Sequence, residues 1–216
     1  MATSKAGEAF FIDAFEGTNG ITFSDEAPNS VAGEFGLDLT SSRAYLHVRT
    51  HQTLELTSSR DSVSAISPVW RRTSHVDTFK SWVGVDDAAC PGESVAQQYW
   101  PLPSRPWTGR SFADSQELSA QERADIEAAG YAYIFGDSSR VASYRSVIER
   151  LTGSFELAIY MAREVRIEAG AVLRIHGAPA LVLFERLHIV EGGQLLVNAP
   201  SRIHVGEMIK LSAGGN

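Results

Sequence analysis

A chain of 216 residues is long enough to bury a substantial core, in one larger domain or two small ones. Its 44% hydrophobic and 21% charged residues with 18 Gly exclude a disordered or collagen-like chain, and no apolar run reaches the ~20 residues of a membrane span. A formal charge of −7 opposes the phosphate attraction behind non-specific nucleic-acid affinity and argues against a nucleic-acid partner.

The first residues, Met1 to Glu8, lack the apolar stretch of a secretory signal, so the expected location is the cytosol or export by another route. From residue 8 to about 68, short apolar segments alternate with Gly, Asn, Ser and Pro. This predicts strands at Glu8–Phe15, Gly20–Phe23, Ala44–Thr50, Thr53–Leu56 and Val63–Ile66, read as antiparallel, hairpin-like material. In Ala44–Leu56, Leu46 and Val48 fall on one face and Tyr45, His47 and Arg49 on the other, the two-residue period of a sheet with one wet side.

Trp70, Trp82, Trp100 and Trp107 all lie between residues 69 and 110. Proline removes backbone donors and fixes φ, so Tyr99 to Trp107 is expected as extended loop. Its rings either cover an apolar sheet face or form a recognition surface, with Tyr99, Trp100 and Trp107 as candidates to stack on sugar. The single cysteine, Cys90, cannot form an intrachain disulfide and has no thiolate-stabilising neighbour in sequence. Asp86, Asp87 and Glu93 form the densest acidic group, compatible with acid–base chemistry and equally with turn acids. No phosphate loop, metal-ligand cluster or nucleophile elbow is present, so no cofactor, metal or catalytic residue is assigned.

Ser119-Ala-Gln-Glu122 has the form of a capping box and Gly130 suits a helix stop, predicting a helix over 120–129. Tyr131–Phe135 reads as a strand, and Ser138 or Ser139 as the cap of a second helix over Arg140–Leu151, with Val141, Tyr144, Ile148 and Leu151 on one face.

Beyond that helix the chain repeats. Val165 aligns with Leu187, Ile167 with Ile189, Gly170 with Gly192, Leu173 with Leu195 and Ile175 with Val197, each pair 22 residues apart. Ala178-Pro179 stands above Ala199-Pro200 with a one-residue slip, after which the register is read as returning at Leu187 with Ile209 and Ile189 with Leu211. Short strands repeating at this length, with Gly at the corners, predict a parallel β-solenoid whose successive coils bury one another's apolar rows. The expected fold is therefore mainly β: a short solenoid of ~22-residue coils packed on an N-terminal antiparallel β region and two short helices, with a jelly-roll or other β-sandwich as the alternative. The expected divisions are 1–115, β-rich with the Trp/Pro loop; 116–153, a helical connector; and 154–216, the coils.

In this register Arg166, His188 and Lys210 form an outward row, readable as a basic stripe for an anionic sugar or surface, or as a solvated face. The chain stops at a corner, Gly214-Gly215, leaving Met208, Ile209 and Leu211 as an uncovered apolar row suited to association.

The 22-residue coil over about residues 165–214 resembles right-handed β-helix polysaccharide lyases and hydrolases, and the small polymerising β-helix scaffolds of bacteria, the bactofilins among them. Phe79–Asp87 also looks like a segment of some carbohydrate-binding β-sandwich modules. The outward face carries no paired carboxylates, which sets this chain apart from the catalytic members. The order of expectation is a non-catalytic structural or assembly protein, then a carbohydrate-binding module, then a carbohydrate-active enzyme. The expected partners are further copies or another protein subunit, with polysaccharide as the alternative.

Overall fold

The computed structural model describes residues 21–42, 44–58, 62–90, 102–112, 117–177 and 179–212, with the side chains of 21–23 and 89 not described. The expected strand at Glu8–Phe15 and the residues Glu93, Tyr99 and Trp100 lie outside this set. Two compact units emerge, one from Met1–Trp70 with Ala158–Asn216 and one from Arg71–Leu157.

In the first unit, β1 (Ile21–Ser24), β9 (Ser201–Leu211), β7 (Ala180–Val190), β5 (Phe155–Ile167) and β2 (Tyr45–Val48) follow one another as parallel strands, and β4 (Val69–Thr73) also pairs with β5. A second parallel sheet has the order β3 (Thr53–Thr57), β6 (Val172–His176) and β8 (Gln194–Val197). Between β5 and β7 and between β6 and β8 every Cα partner is 22 residues on, as in Val165 with Leu187 and Leu173 with Leu195. The inward rows Ala158–Ala180, Tyr160–Val182–Ile203 and Leu46–Val165–Leu187 join Val48, Ile167, Leu173 and Ile175 in one apolar core. Each Val, Leu or Ile in these rows contributes roughly 1.5–3 kcal/mol by leaving water. The run Ala180–Phe184 is buried throughout, because β7 carries apolar residues on both faces. The helix α1 (Pro28–Glu34) packs on β7; proline at its start needs no amide partner, and Pro28, Val31 and Ala32 form its buried stripe. The Leu39 amide donates to Asn29 Oδ1 at 3.2 Å, which fixes the exit from α1.

The fold class expected from sequence is overturned. With 29% helix and 35% strand, and strands gathered in parallel sheets, the chain is a mixed α/β protein, not a mainly β solenoid on an antiparallel base, and not an antiparallel sandwich. The N-terminal strands do not pair with one another as hairpins. β2 and β3 take parallel partners more than a hundred residues later, and β1 pairs with the last strand described. Such pairing leaves no local trace, since hairpin reading rests on the turn between sequence neighbours. Val63–Ile66 is not a strand; its groups close a turn, with Ala65 donating to the Glu55 carbonyl and Ser64 Oγ receiving the Thr57 amide.

The second unit carries the helices α2 (Val76–Val83), α3 (Ala120–Phe135) and α4 (Arg145–Thr152), with 3₁₀ turns at Asp87–Ala89 and Ser138–Tyr144. Phe79–Asp87, the segment likened to a β-sandwich, closes α2 and opens the first of these turns. The capping box at Ser119 and Glu122 is formed: Ser119 Oγ receives the Glu122 amide at 3.2 Å and Glu122 Oε2 receives the Ser119 amide at 2.8 Å. Those bonds, with Arg110 beside them, hold the Glu122 carboxyl down at about 2. Removing the cap by Ser119→Ala is expected to cost about 1 kcal/mol in chemical denaturation, and an unchanged midpoint would show that the cap is dispensable.

α3 does not stop at Gly130. It continues through Tyr131–Phe135, expected as a strand, and ends at Gly136. The strand propensity of that run is overridden by burial of Ala132, Tyr133, Ile134 and Phe135, and by contacts from α2 to its last turn. The Tyr133 hydroxyl donates to Asp77 Oδ1 at 2.6 Å, and burial together with that carboxylate pushes its pKa up to about 12. The second expected helix is split. Asp137, not Ser138 or Ser139, caps the 3₁₀ turn, and α4 begins only at Arg145.

Candidate functional site

Among the described residues, the two edges of β9 are unequally covered. β7 pairs along its length from Ser201 to Leu211, whereas β1 pairs only Ser201–His204. The ladder is interrupted at Glu185 and Gly206, where a Cβ on Gly206 would stand 2.8 Å from the Glu185 carbonyl oxygen and 3.5 Å from Pro28 Cγ. Only glycine allows that approach. Beyond it, Val205–Leu211 presents an edge that no described strand covers.

Met208 marks the consequence. It continues the row Leu46–Val165–Leu187, whose members are 9%, 0% and 0% exposed, yet it is itself 41% exposed. An inward row thus ends on a side chain with nothing above it among the described residues. Lys210 continues the row Val48–Ile167–Ile189, so an ammonium closes a file of apolar residues. Ile209 and Leu211 are half-buried.

The third copy of the repeat is shifted relative to the sequence reading. The partner of Leu187 is Met208 and that of Ile189 is Lys210, 21 residues on, so the slip at the Ala-Pro pair persists to the end of β9. The row Arg166–His188 therefore continues to Ile209, and Lys210 does not join it. Arg166 Nε donates to Glu168 Oε1 at 2.6 Å, and His47 Nε2 lies 2.9 Å from the same oxygen. Arg166 first and His47 second hold the Glu168 carboxyl below its ordinary range. His188 Nε2 lies 4.0 Å from Glu164. Arg166 is thus engaged by its own neighbour, and His188 stands beside a carboxylate.

The Trp107 ring is half-buried, with centroids 6.0 Å from Tyr144 and 6.3 Å from Phe112. Its loop is tied down by Ser104, whose amide and hydroxyl donate to Asp125 at 2.9 and 2.8 Å, and by the Tyr144 hydroxyl, which donates to the Arg105 carbonyl. Asp86 caps the 3₁₀ turn through the Ala88 amide. Asp87 receives the Lys80 ammonium at 2.6 Å and both the amide and hydroxyl of Ser138. Burial pushes the Cys90 thiol up, away from the thiolate. Among the described residues no group of three or more His, Cys, Asp or Glu is placed to hold a metal ion, and no helix is long and apolar enough to cross a membrane.

Sequence reasoning missed two features at this edge. His204, on the ladder beside β1, is wholly buried, and Gly206 makes room for the Glu185 carbonyl. The one available signal was the Ala-Pro slip, which, carried forward, places Met208 and Lys210 in the inward rows. Comparison of the chain with protein-family models, curated proteins and solved structures finds no match.

Proposed function

We propose that this chain is a non-catalytic assembly protein whose copies associate edge to edge through Val205–Leu211 of β9. The observation that carries this reading is the β9 edge beyond His204, which no described strand covers, with Met208 exposed at the end of an otherwise buried row. A strand edge lined with backbone donors and acceptors is a template for another strand. The occupant that fits is a second copy of β9 related by a two-fold axis, since a strand facing itself across such an axis pairs antiparallel and saturates both edges at once. Lys210 favours this closed arrangement over an open-ended one. A parallel continuation would lay another apolar row over its ammonium, at the cost of desolvating a charge. A two-fold centred on Met208 instead sets Lys210 opposite the partner copy's Gly206, where no side chain competes for the space. Asp86, Asp87 and Asp125 meanwhile serve a cap, an ion pair and a loop anchor.

Light scattering on eluting protein across a wide concentration range is expected to show a mass that rises to twice the formula mass and then stops. A strict monomer throughout would overturn the proposal, and a mass that climbs without limit would overturn its two-fold form.

A further inference from the structure

β1 covers the first part of the β9 edge whose later part the assembly reading leaves open, α1 follows it and packs on β7 and β9, and one buried side chain ties their junction to β9. His204 is wholly buried on β9, with Ser24 of β1 and Leu183 of β7 as its Cα partners. Its Nδ1 lies 3.3 Å from the carbonyl oxygen of Glu26, in the turn that joins β1 to α1. A carbonyl only accepts, so Nδ1 carries the hydrogen and Nε2 holds a lone pair. Nε2 is shut away from solvent and has no hydrogen-bond partner among the described residues. A proton arriving there would create a charged donor with no acceptor.

We propose that β1 and α1 form an acid-releasable cover on β9, latched by the uncharged imidazole of His204, so that acidification extends the open edge from Val205–Leu211 to Ser201–Leu211. The proposal rests on the assembly reading and names how its edge is regulated. The charged groups facing the ring are Arg202 of β9 and Glu26 of the turn, paired with each other at 3.5 Å; β1 and β7 oppose the ring with Ser24 and Leu183. Burial, the largest influence, lowers the imidazole's pKa below its ordinary 6.5; the Glu26 carbonyl bond works against this and the Arg202 charge works with it. The closed form therefore binds its proton less readily than the open one. Its advantage is full above the ordinary histidine value and is lost as the pH falls below it.

For a single proton, opening should increase by up to about tenfold between pH ~7.5 and ~5.5. Hydrogen exchange on the full chain, corrected for intrinsic rates, should then show a loss of protection of up to about tenfold in Ile21–Ser24 and Ser201–His204, with the β5–β7 ladder unchanged. His204→Phe should remove the dependence. Protection in β1 that is independent of pH in the wild type, or that is lost equally across the whole sheet, would overturn the latch. Should the Phe variant not fold, the imidazole resonances of the wild type decide the matter: titration below 6.5 supports the latch, and titration at or above that value overturns it. Scattering at the same pH values reads association separately. A monomer whose β1 opens in acid would remove the edge association and leave the latch standing.

Discussion

Leu187→Asp is expected to abolish cooperative folding of the parallel-sheet unit, while Met208→Asp, the same change one strand further along the same row, leaves the melting temperature within a few degrees of wild type. Leu187 is 0% exposed and sits between Val165 and Met208 in the ladder. Its replacement forfeits roughly 1.5–3 kcal/mol of apolar burial and adds several more for a carboxylate without a partner. That sum reaches the lower part of the roughly 5–15 kcal/mol by which domains are stable. At Met208 the carboxylate meets water, so the folded chain pays little. The two-fold assembly would bring two such carboxylates together, and Met208→Asp should be monomeric at concentrations where the wild type is a dimer. Circular dichroism and scattering on the pair separate the two statements. A wild-type melt for Leu187→Asp would show that the inward row is misplaced, and a dimeric Met208→Asp would show that β9 is not the contact.

Much of the ladder within Val165–Val197 was legible because both copies lie close together in sequence and repeat the apolar residues, the corner glycine and the spacing at once. Gly170 and Gly192 adopt φ +69° and +83°, the left-handed conformation a corner demands. The partners of β2 and β3 were not legible, because nothing in a four- or five-residue strand specifies which distant strand lies beside it. The error on β9 was of another kind. Alternation favoured Ile209 and Leu211 as inward residues, whereas the hydrogen-bonded ladder runs on from Ala180–Ser201 and carries Met208 and Lys210 into those rows. A one-residue change in register exchanges the faces, and here it moved the basic residue from the outer row to the inner one. In the other unit, local propensity misled at Tyr131–Phe135, where packing extends a helix through five residues that read as a strand.

Lys80→Met is expected to destabilise the helical unit by about 1–2 kcal/mol, since the Lys80 side chain is mostly buried and donates to backbone carbonyls while its carboxylate partner Asp87 is exposed and screened by water. The Lys80 side chain is 12% exposed, and its ammonium donates to Asp87 Oδ1 at 2.6 Å, to the Tyr133 carbonyl at 2.8 Å and to the Gly136 carbonyl at 2.6 Å. The two carbonyls belong to the end of α3, where backbone acceptors lack helical partners and a cation is favoured. Asp87 in turn holds the amide and hydroxyl of Ser138, so one ammonium joins α2, both 3₁₀ turns and the end of α3. Methionine keeps much of the side chain's length and apolar stem but removes the donor shared by the three acceptors, stranding the two α3 carbonyls. Burial raises the Asp87 carboxyl, yet the bonds from Lys80 and Ser138 outweigh it and leave the group below its ordinary 3.8. A depressed carboxyl stabilises the fold above the unfolded value and ceases to do so as pH falls through the folded one, so part of this stability should disappear in acid below about 3.8 in the wild type and less of it in Lys80→Met. Asp87→Asn alone should cost less than Lys80→Met, because Ser138 can still donate to the amide oxygen. The two changes together should cost clearly less than the sum of each, since they share one interaction. Additive losses in urea denaturation at neutral pH would show that the ammonium acts through the α3 carbonyls alone and that Asp87 is not its energetic partner.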